Sequence, residues 1–152
     1  MNALETKVPP VFVVLISAAM MWGVAQVTPL LPDATWRVSI SVLLFLLGFA
    51  VALSGVVVFR LAHTTVNPTC PEKASNLVTQ GVFQLTRNPM YLGMLLALAS
   101  WAVYLLAPVS VFGIVLYVWY MNRFQIEPEE RAMKKLFGEE YQDYCSSVRR
   151  WI

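Results

Sequence analysis

The sequence predicts an all-α integral membrane protein with four transmembrane helices, the last two a helical hairpin, followed by cytoplasmic C-terminal amphipathic helices. Three observations predict it. Of 152 residues, 58% are hydrophobic and only 13% charged, too few charges to coat a water-soluble domain of this size. The charges are also segregated: Val8 to Leu31, Val38 to Phe59 and Asn88 to Asn122 carry none. Finally, Pro108 stands near the middle of the third uncharged run.

The first two runs each suit one crossing, since a hydrocarbon core of about 30 Å takes roughly 20 helical residues. The run after Lys7 is much longer than the roughly 7–15 residues of a signal-peptide core, so 8–31 is expected as a span rather than a leader. The second span is expected over 38–59. Small residues on these helices, Ser17, Ala18, Ala19, Gly48, Ala52 and Gly55, favour close helix packing, with Gly48 and Gly55 seven apart on one face. As a single helix, the third run would reach roughly 50 Å, well beyond the bilayer. Pro108 lacks an N–H and its ring opposes a continuous helix, so two spans, 89–106 and 109–125, are expected. With four crossings, Lys7, Arg60, Lys73, Arg87 and the six tail cations share one side and Arg37 alone lies on the other, which places both termini in the cytoplasm.

Between the second and third spans, the loop 62–88 is long, contains Thr, Asn, Pro and Gly81, and carries apolar Leu77, Val78, Val82, Phe83 and Leu85, the composition of a docked functional loop. Asn88-Pro89 signals a helix start, which sets Arg87 and Asn88 beside unpaired N–H groups at the membrane surface. Arg87 equally suits a plain positive-inside anchor, and Tyr91 an interfacial aromatic. In the tail, 127–152, Glu127-Pro128-Glu129-Glu130 is expected to open a short helix ending at Phe137-Gly138. Tyr141, Tyr144, Cys145 and Val148 then mark a second amphipathic helix, able to lie on the bilayer or to close over the loop. Arg123 and Glu127 are spaced to pair with each other, while a carboxylate at the bilayer edge also suits an ammonium ligand.

Several functions are disfavoured. The basic tail residues alternate with Glu139, Glu140 and Asp143, and no nucleic-acid motif occurs. His63 is the single histidine and no CxxC pair exists, so no metal site is expected. Cys70 and Cys145 both fall on the reducing side, where a structural disulfide is not expected.

The run Leu77-Val78-Thr79-x-Gly81-Val82-Phe83, then Thr86-Arg87-Asn88-Pro89-Met90-Tyr91-Leu92-Gly93, followed by Glu129-Glu130, Leu136-Phe137-Gly138-Glu139-Glu140-Tyr141 and Tyr144, resembles the isoprenylcysteine carboxyl methyltransferase family, itself related to membrane phospholipid N-methyltransferases. The resemblance covers about half the chain, from Asn67 to Trp151. It implies an S-adenosyl-L-methionine-dependent enzyme that methylates a lipophilic acceptor, a carboxylate, thiol or amine, with the cofactor bound on the cytoplasmic side. By resemblance, Leu77, Val78 and Phe83 form a cofactor wall, Arg87, Asn88, Pro89, Met90 and Tyr91 close on the cofactor, and Glu129 contacts its positive charge. Arg123, Glu127 and Glu130 become candidate catalytic groups. Two positions depart from the family pattern: Asn88 stands where many members have histidine, and Gln125 where eukaryotic members carry a substrate-contacting arginine, a role Arg123 is placed to take. Two competing classes are an NADPH-dependent membrane reductase of related fold and a non-catalytic membrane interaction protein. The expected partners are the bilayer and a small lipophilic substrate, the expected location the inner membrane of a bacterial source, with oligomeric state open.

Overall fold

The computed structural model describes residues 5–32, 35–62 and 76–152. His63, Cys70 and Lys73 lie outside the described residues. Five α-helices follow in order, α1 Pro10–Ala25, α2 Trp36–Leu61, α3 Pro89–Leu105, α4 Val111–Tyr120 and α5 Glu127–Ser147, with no strand among the described residues. Short 3-10 turns occupy Gly81–Gln84 and Pro108–Ser110, and a π-helical turn at Met121–Ile126 joins α4 to α5.

α2 is the one described helix long and apolar enough to cross a membrane. Its burial is inverted relative to a soluble helix. The buried residues are Ser41, Gly48 and Gly55, while Leu43, Phe45, Leu46, Leu47 and Phe49 face outward. Small residues inside let two backbones approach, the way helices associate where large apolar side chains gain nothing from turning inward. α3 is that neighbour. An added Cβ on Gly48 would lie 2.6 Å from the Gly93 carbonyl, and one on Gly55 would lie 2.9 Å from the Pro89 ring. The glycine spacing expected to serve packing therefore does so, and it seats the first turn of α3.

α1 packs against α3 and α4, and a core forms from Val13, Met21, Tyr91, Leu98, Tyr117, Met121 and Ile126. Backbone carbonyls tie the helices further: Ser100 Oγ donates to the Ser41 carbonyl at 2.7 Å and Trp101 Nε1 to the Ala18 carbonyl at 3.1 Å. Away from water such bonds satisfy side-chain donors that would otherwise cost free energy.

Two expectations about element bounds need correction. α1 stops at Ala25 rather than running to Leu31. Pro29 and Pro32 disfavour helix there, and the extended segment instead donates the Leu31 amide to the Leu106 carbonyl at 2.7 Å, capping the end of α3. Nor does the chain break before Glu127. A proline cannot donate to the carbonyl four residues back, here Phe124, and its ring crowds that group. The π turn over Met121–Ile126 absorbs the mismatch, so helix passes from α4 into α5. The expected end at Gly138 survives as a kink, where φ of +56° and ψ of −122° suit glycine.

Helix is interrupted at Pro108. α3 ends with Leu106 in the left-handed region, Pro108 opens the next turn, and α4 follows. The Tyr117 hydroxyl, late in α4, donates to the Tyr91 carbonyl, early in α3, at 3.2 Å. This bond brings the polar ends of both helices to the same place.

Candidate functional site

The segment 76–88 is folded by its own sequence. Gly81 takes φ of +61°, allowing the turn that aims Phe83 inward, and Phe83 stacks on Phe59 of α2 with ring centroids 4.8 Å apart. Val78 and Phe83 are buried with Tyr141, Tyr144 and Val148, with Leu77 packed alongside. The Tyr144 hydroxyl donates to the Phe83 carbonyl at 2.6 Å. Of the two placements open to the second amphipathic helix, closure over the loop is the one observed. The apolar surfaces of Val78 and Phe83 are therefore engaged with the tail.

Thr86, Arg87 and Asn88 then lie along the end of the tail. The Thr86 hydroxyl accepts from the Asn88 amide at 3.1 Å and donates to the Arg150 carbonyl at 3.3 Å, while the Arg87 amide donates to the Arg149 carbonyl at 3.1 Å. Asn88 precedes α3 but does not cap it with its side chain; Nδ2 donates to the Arg150 carbonyl at 2.8 Å. Pro89 is buried against Gly55, and Met90 packs on the core beside Tyr91.

Arg87 is the hub of this docking. Its Nη1 donates to the Cys145 and Val148 carbonyls, each at 3.2 Å, and its Nη2 to Glu130 at 2.9 Å. Arg150 reaches the same carboxylate through Nε at 3.0 Å and Nη2 at 2.7 Å, which holds the Arg150 guanidinium above its ordinary pKa. Asn122 Oδ1 accepts from Arg150 and, at 3.1 Å, from Trp151 Nε1. A planar fork serving two carbonyls and a carboxylate has no equivalent in a lysine ammonium. Arg87→Lys is expected to lower stability by about 1–3 kcal/mol and to open 148–152 to protease. Thermal unfolding and limited proteolysis in detergent micelles measure both.

The predicted acids part company around the first turn of α5. Glu127 pairs with Arg123 at 2.9 Å on the surface, the bland alternative for that spacing. Glu130 is held by Arg87 and Arg150. Glu129 differs: the Tyr91 hydroxyl and Gln125 Nε2 both donate to its Oε1 at 2.5 Å, and no basic side chain pairs with it among the described residues. Although Glu129 keeps some solvent contact, the protein packed around its carboxyl raises the pKa from 4.5 to about 7. Burial is the main cause; the bonds from Tyr91 and Gln125 pull it back down, and the Glu130 charge adds to the rise. Beside this turn, a cavity of about 760 Å³ lies between the two arms of α5, lined by Glu127, Glu130, Lys134, Tyr141, Cys145 and Arg150. No group of three metal-ligating side chains occurs among the described residues.

Sequence reasoning singled out Tyr91 and Glu129, which the structure brings together, and missed their partners. Gln125 drew attention only as a departure from a pattern; its position four residues before Glu129 was the available signal. Asn122, Tyr117, Arg150 and Trp151 carried no local signal.

A partly buried carboxylate beside the junction of α4 and α5, held by neutral donors and with no basic partner among the described residues, gives this all-helical chain a polar site. Comparisons with known proteins give the class. A model of the phospholipid methyltransferase family matches residues 36–140, well over half of the chain, and the chain belongs to that family of methyltransferases. It is 28% identical over 120 residues to protein-S-isoprenylcysteine O-methyltransferase B of Arabidopsis thaliana, covering 79% of this chain and 61% of that protein. Identity to a probable protein-S-isoprenylcysteine O-methyltransferase of Oryza sativa subsp. indica is 29% over 140 residues, 90% of this chain and 73% of the relative. The Rattus norvegicus protein-S-isoprenylcysteine O-methyltransferase is 31% identical over 122 residues, covering 79% of this chain and 42% of the relative.

Proposed function

We propose that this chain is an S-adenosyl-L-methionine-dependent membrane methyltransferase in which Glu129 receives the positive end of the cofactor and the methyl passes to a lipophilic acceptor presented from the bilayer. The observation that carries this reading is the charge pattern around α5. Glu5 pairs with Arg131, Glu127 with Arg123 and Glu130 with Arg87 and Arg150, whereas among the described residues Glu129 has only neutral donors. An ammonium or sulfonium supplies the missing countercharge. The donor set fits the cofactor's positive charge in chemistry, while the open hollow beside it is lined by Glu127, Glu130 and Arg150 rather than by Glu129 or Tyr91.

When bound, S-adenosylmethionine supplies an electrophilic methyl group on a sulfonium. The chain's own residues orient and exclude water. Tyr91 and Gln125 fix Glu129 Oε1, leaving the other carboxylate oxygen for the ligand. Tyr117 secures the Tyr91 backbone, and Met121 and Ile126 keep the far side dry. In this reading Asn88 and Met90 stand beside the cofactor, Leu77, Val78, Phe83 and Pro89, whose surfaces are taken up by the tail and by α2, support the site from behind, and Arg87 holds the tail over it. Arg123 and Glu127 stand at the exposed rim to meet the polar head of the acceptor, and Glu130 orders the two arginines. A carboxylate or thiolate acceptor takes the methyl directly; an amine first gives up a proton, for which Glu127 and Glu130 are the candidate acceptors.

Four crossings place this machinery at the cytoplasmic ends of α1 to α4, with both termini on that side. The ten-to-one division of basic residues supports that orientation, and the outward Phe12, Leu15, Ile16 and Trp22 of α1 and Phe112, Val115 and Trp119 of α4 support contact with lipid. In a bacterial source this is the inner membrane.

The test is transfer of labelled methyl from S-adenosylmethionine into a membrane lipid extract by purified protein in nanodiscs. We expect label in the organic phase. Release of methanol by mild base then identifies a methyl ester, and retention identifies a thioether or methylamine. Tyr91→Phe, which removes one donor to Glu129, is expected to weaken S-adenosylhomocysteine about 3–10-fold. Binding of NADPH with no binding of S-adenosylhomocysteine would overturn the assignment.

A further inference from the structure

We propose that Glu5 and Thr6, just ahead of α1, form a strap that positions the Gln125–Glu129 pair by gripping the helix on either side of it. The Thr6 amide donates to the Phe124 carbonyl at 2.9 Å, the group to which Pro128 offers no hydrogen. Glu5, its side chain 7% exposed, pairs with Arg131 at 2.9 Å. Phe124 directly precedes Gln125, and Arg131 follows Glu129 by two, so the two grips bracket both residues.

Two further features show that this contact is held firmly. Thr6 takes φ of +55°, a region that a threonine adopts only where its surroundings impose it. The Thr6 hydroxyl donates to the Glu5 carbonyl at 2.8 Å, closing the turn on itself. A π turn is a rare single-turn departure from the α-helix that leads and follows it, so an outside clamp selects the register in which Gln125 faces Glu129. Glu5 and Thr6 are positioning residues: neither touches Tyr91 or Glu129 in the bonds described.

The proposal rests on Glu129 being the cofactor-binding carboxylate, and its test separates the two ideas. Hydrogen exchange over 121–131 needs no ligand, and calorimetric titration with S-adenosylhomocysteine reads the site. Wild type, Thr6→Pro, Glu5→Ala, Arg131→Glu and the exchanged pair Glu5→Arg with Arg131→Glu are compared in nanodiscs. Loss of either grip is expected to quicken exchange across 121–131 and to weaken S-adenosylhomocysteine about tenfold, with exchange in α2 unchanged and the exchanged pair recovering both readouts over Arg131→Glu alone. Unchanged exchange at 121–131 in Thr6→Pro and Glu5→Ala overturns the strap, as does quickened exchange with undiminished affinity. Wild type that binds no S-adenosylhomocysteine sinks the cofactor reading and the positioning role with it, even if exchange still responds.

Discussion

Glu129→Ala is expected to weaken S-adenosylhomocysteine by roughly 30- to 1,000-fold, the equivalent of about 2–4 kcal/mol for removing one partner of a buried charge pair. The loss should exceed that from Glu127→Ala, because Glu127 has an exposed arginine partner and Glu129 has none. The pH dependence gives a second handle. With the carboxyl raised to about 7, its ionised fraction falls tenfold for each unit below that value. Affinity for the ammonium-bearing ligand is therefore expected to climb from about pH 5.5 and level off above 7.5, whereas Glu129→Gln should bind weakly with a flat profile over the same range. Stability runs the other way. A carboxyl whose folded pKa lies above its unfolded value of 4.5 binds more protons when folded, so its contribution to stability declines as pH rises from about 4.5 to 7. The conflict between stability and affinity is what a site charged for a ligand should show. A steep pH profile surviving in Glu129→Gln would assign the titration to another group.

What the sequence disclosed divides by the range over which each signal acts. Pro108 and Asn88-Pro89 act on their own neighbours, and the ends of α3 fall where they direct. Gly48 and Gly55 disclose a face because helix periodicity is local, and that face meets α3. From the sequence Pro128 opens a separate helix, whereas a break and a π turn both relieve its clash with the carbonyl of Phe124. Deciding between them takes the Thr6 amide, far away in sequence. Arg87 illustrates the same limit. Its charge and place at a helix start suited ligand binding and membrane anchoring alike, while its bonds to Cys145, Val148 and Glu130 depend on how the tail returns. Resemblance reached further than periodicity here. It singled out Tyr91 and Glu129, which are 38 residues apart and directly bonded.

The second large effect is expected at Gly93, and the opposing magnitudes decide its sign. Replacing a mid-helix glycine by alanine ordinarily stabilises a helix by about 1 kcal/mol, through lower backbone entropy in the unfolded chain. Gly23 of α1 offers the undisturbed case, with nothing within 4 Å of an added Cβ, so Gly23→Ala should raise the melting temperature slightly. At Gly93 an added Cβ would collide with the Gly48 carbonyl and come within 2.6 Å of the Ala52 Cβ. Both obstacles are fixed to α2, so the helices must separate. Overpacking of this kind costs about 1–3 kcal/mol and more where backbone must move, which exceeds the propensity gain. Gly93→Val adds a branched side chain and should destabilise more than Gly93→Ala. Separation would also unseat Pro89 from Gly55 and, about half a turn away, shift Tyr91 from Glu129. Gly93→Ala is therefore expected to reduce S-adenosylhomocysteine affinity more than its stability loss alone explains. Melting curves and titrations on Gly23→Ala, Gly93→Ala and Gly93→Val in one detergent make the comparison. A Gly93→Ala variant as stable as wild type would show that α2 and α3 are not in the contact that sets the site.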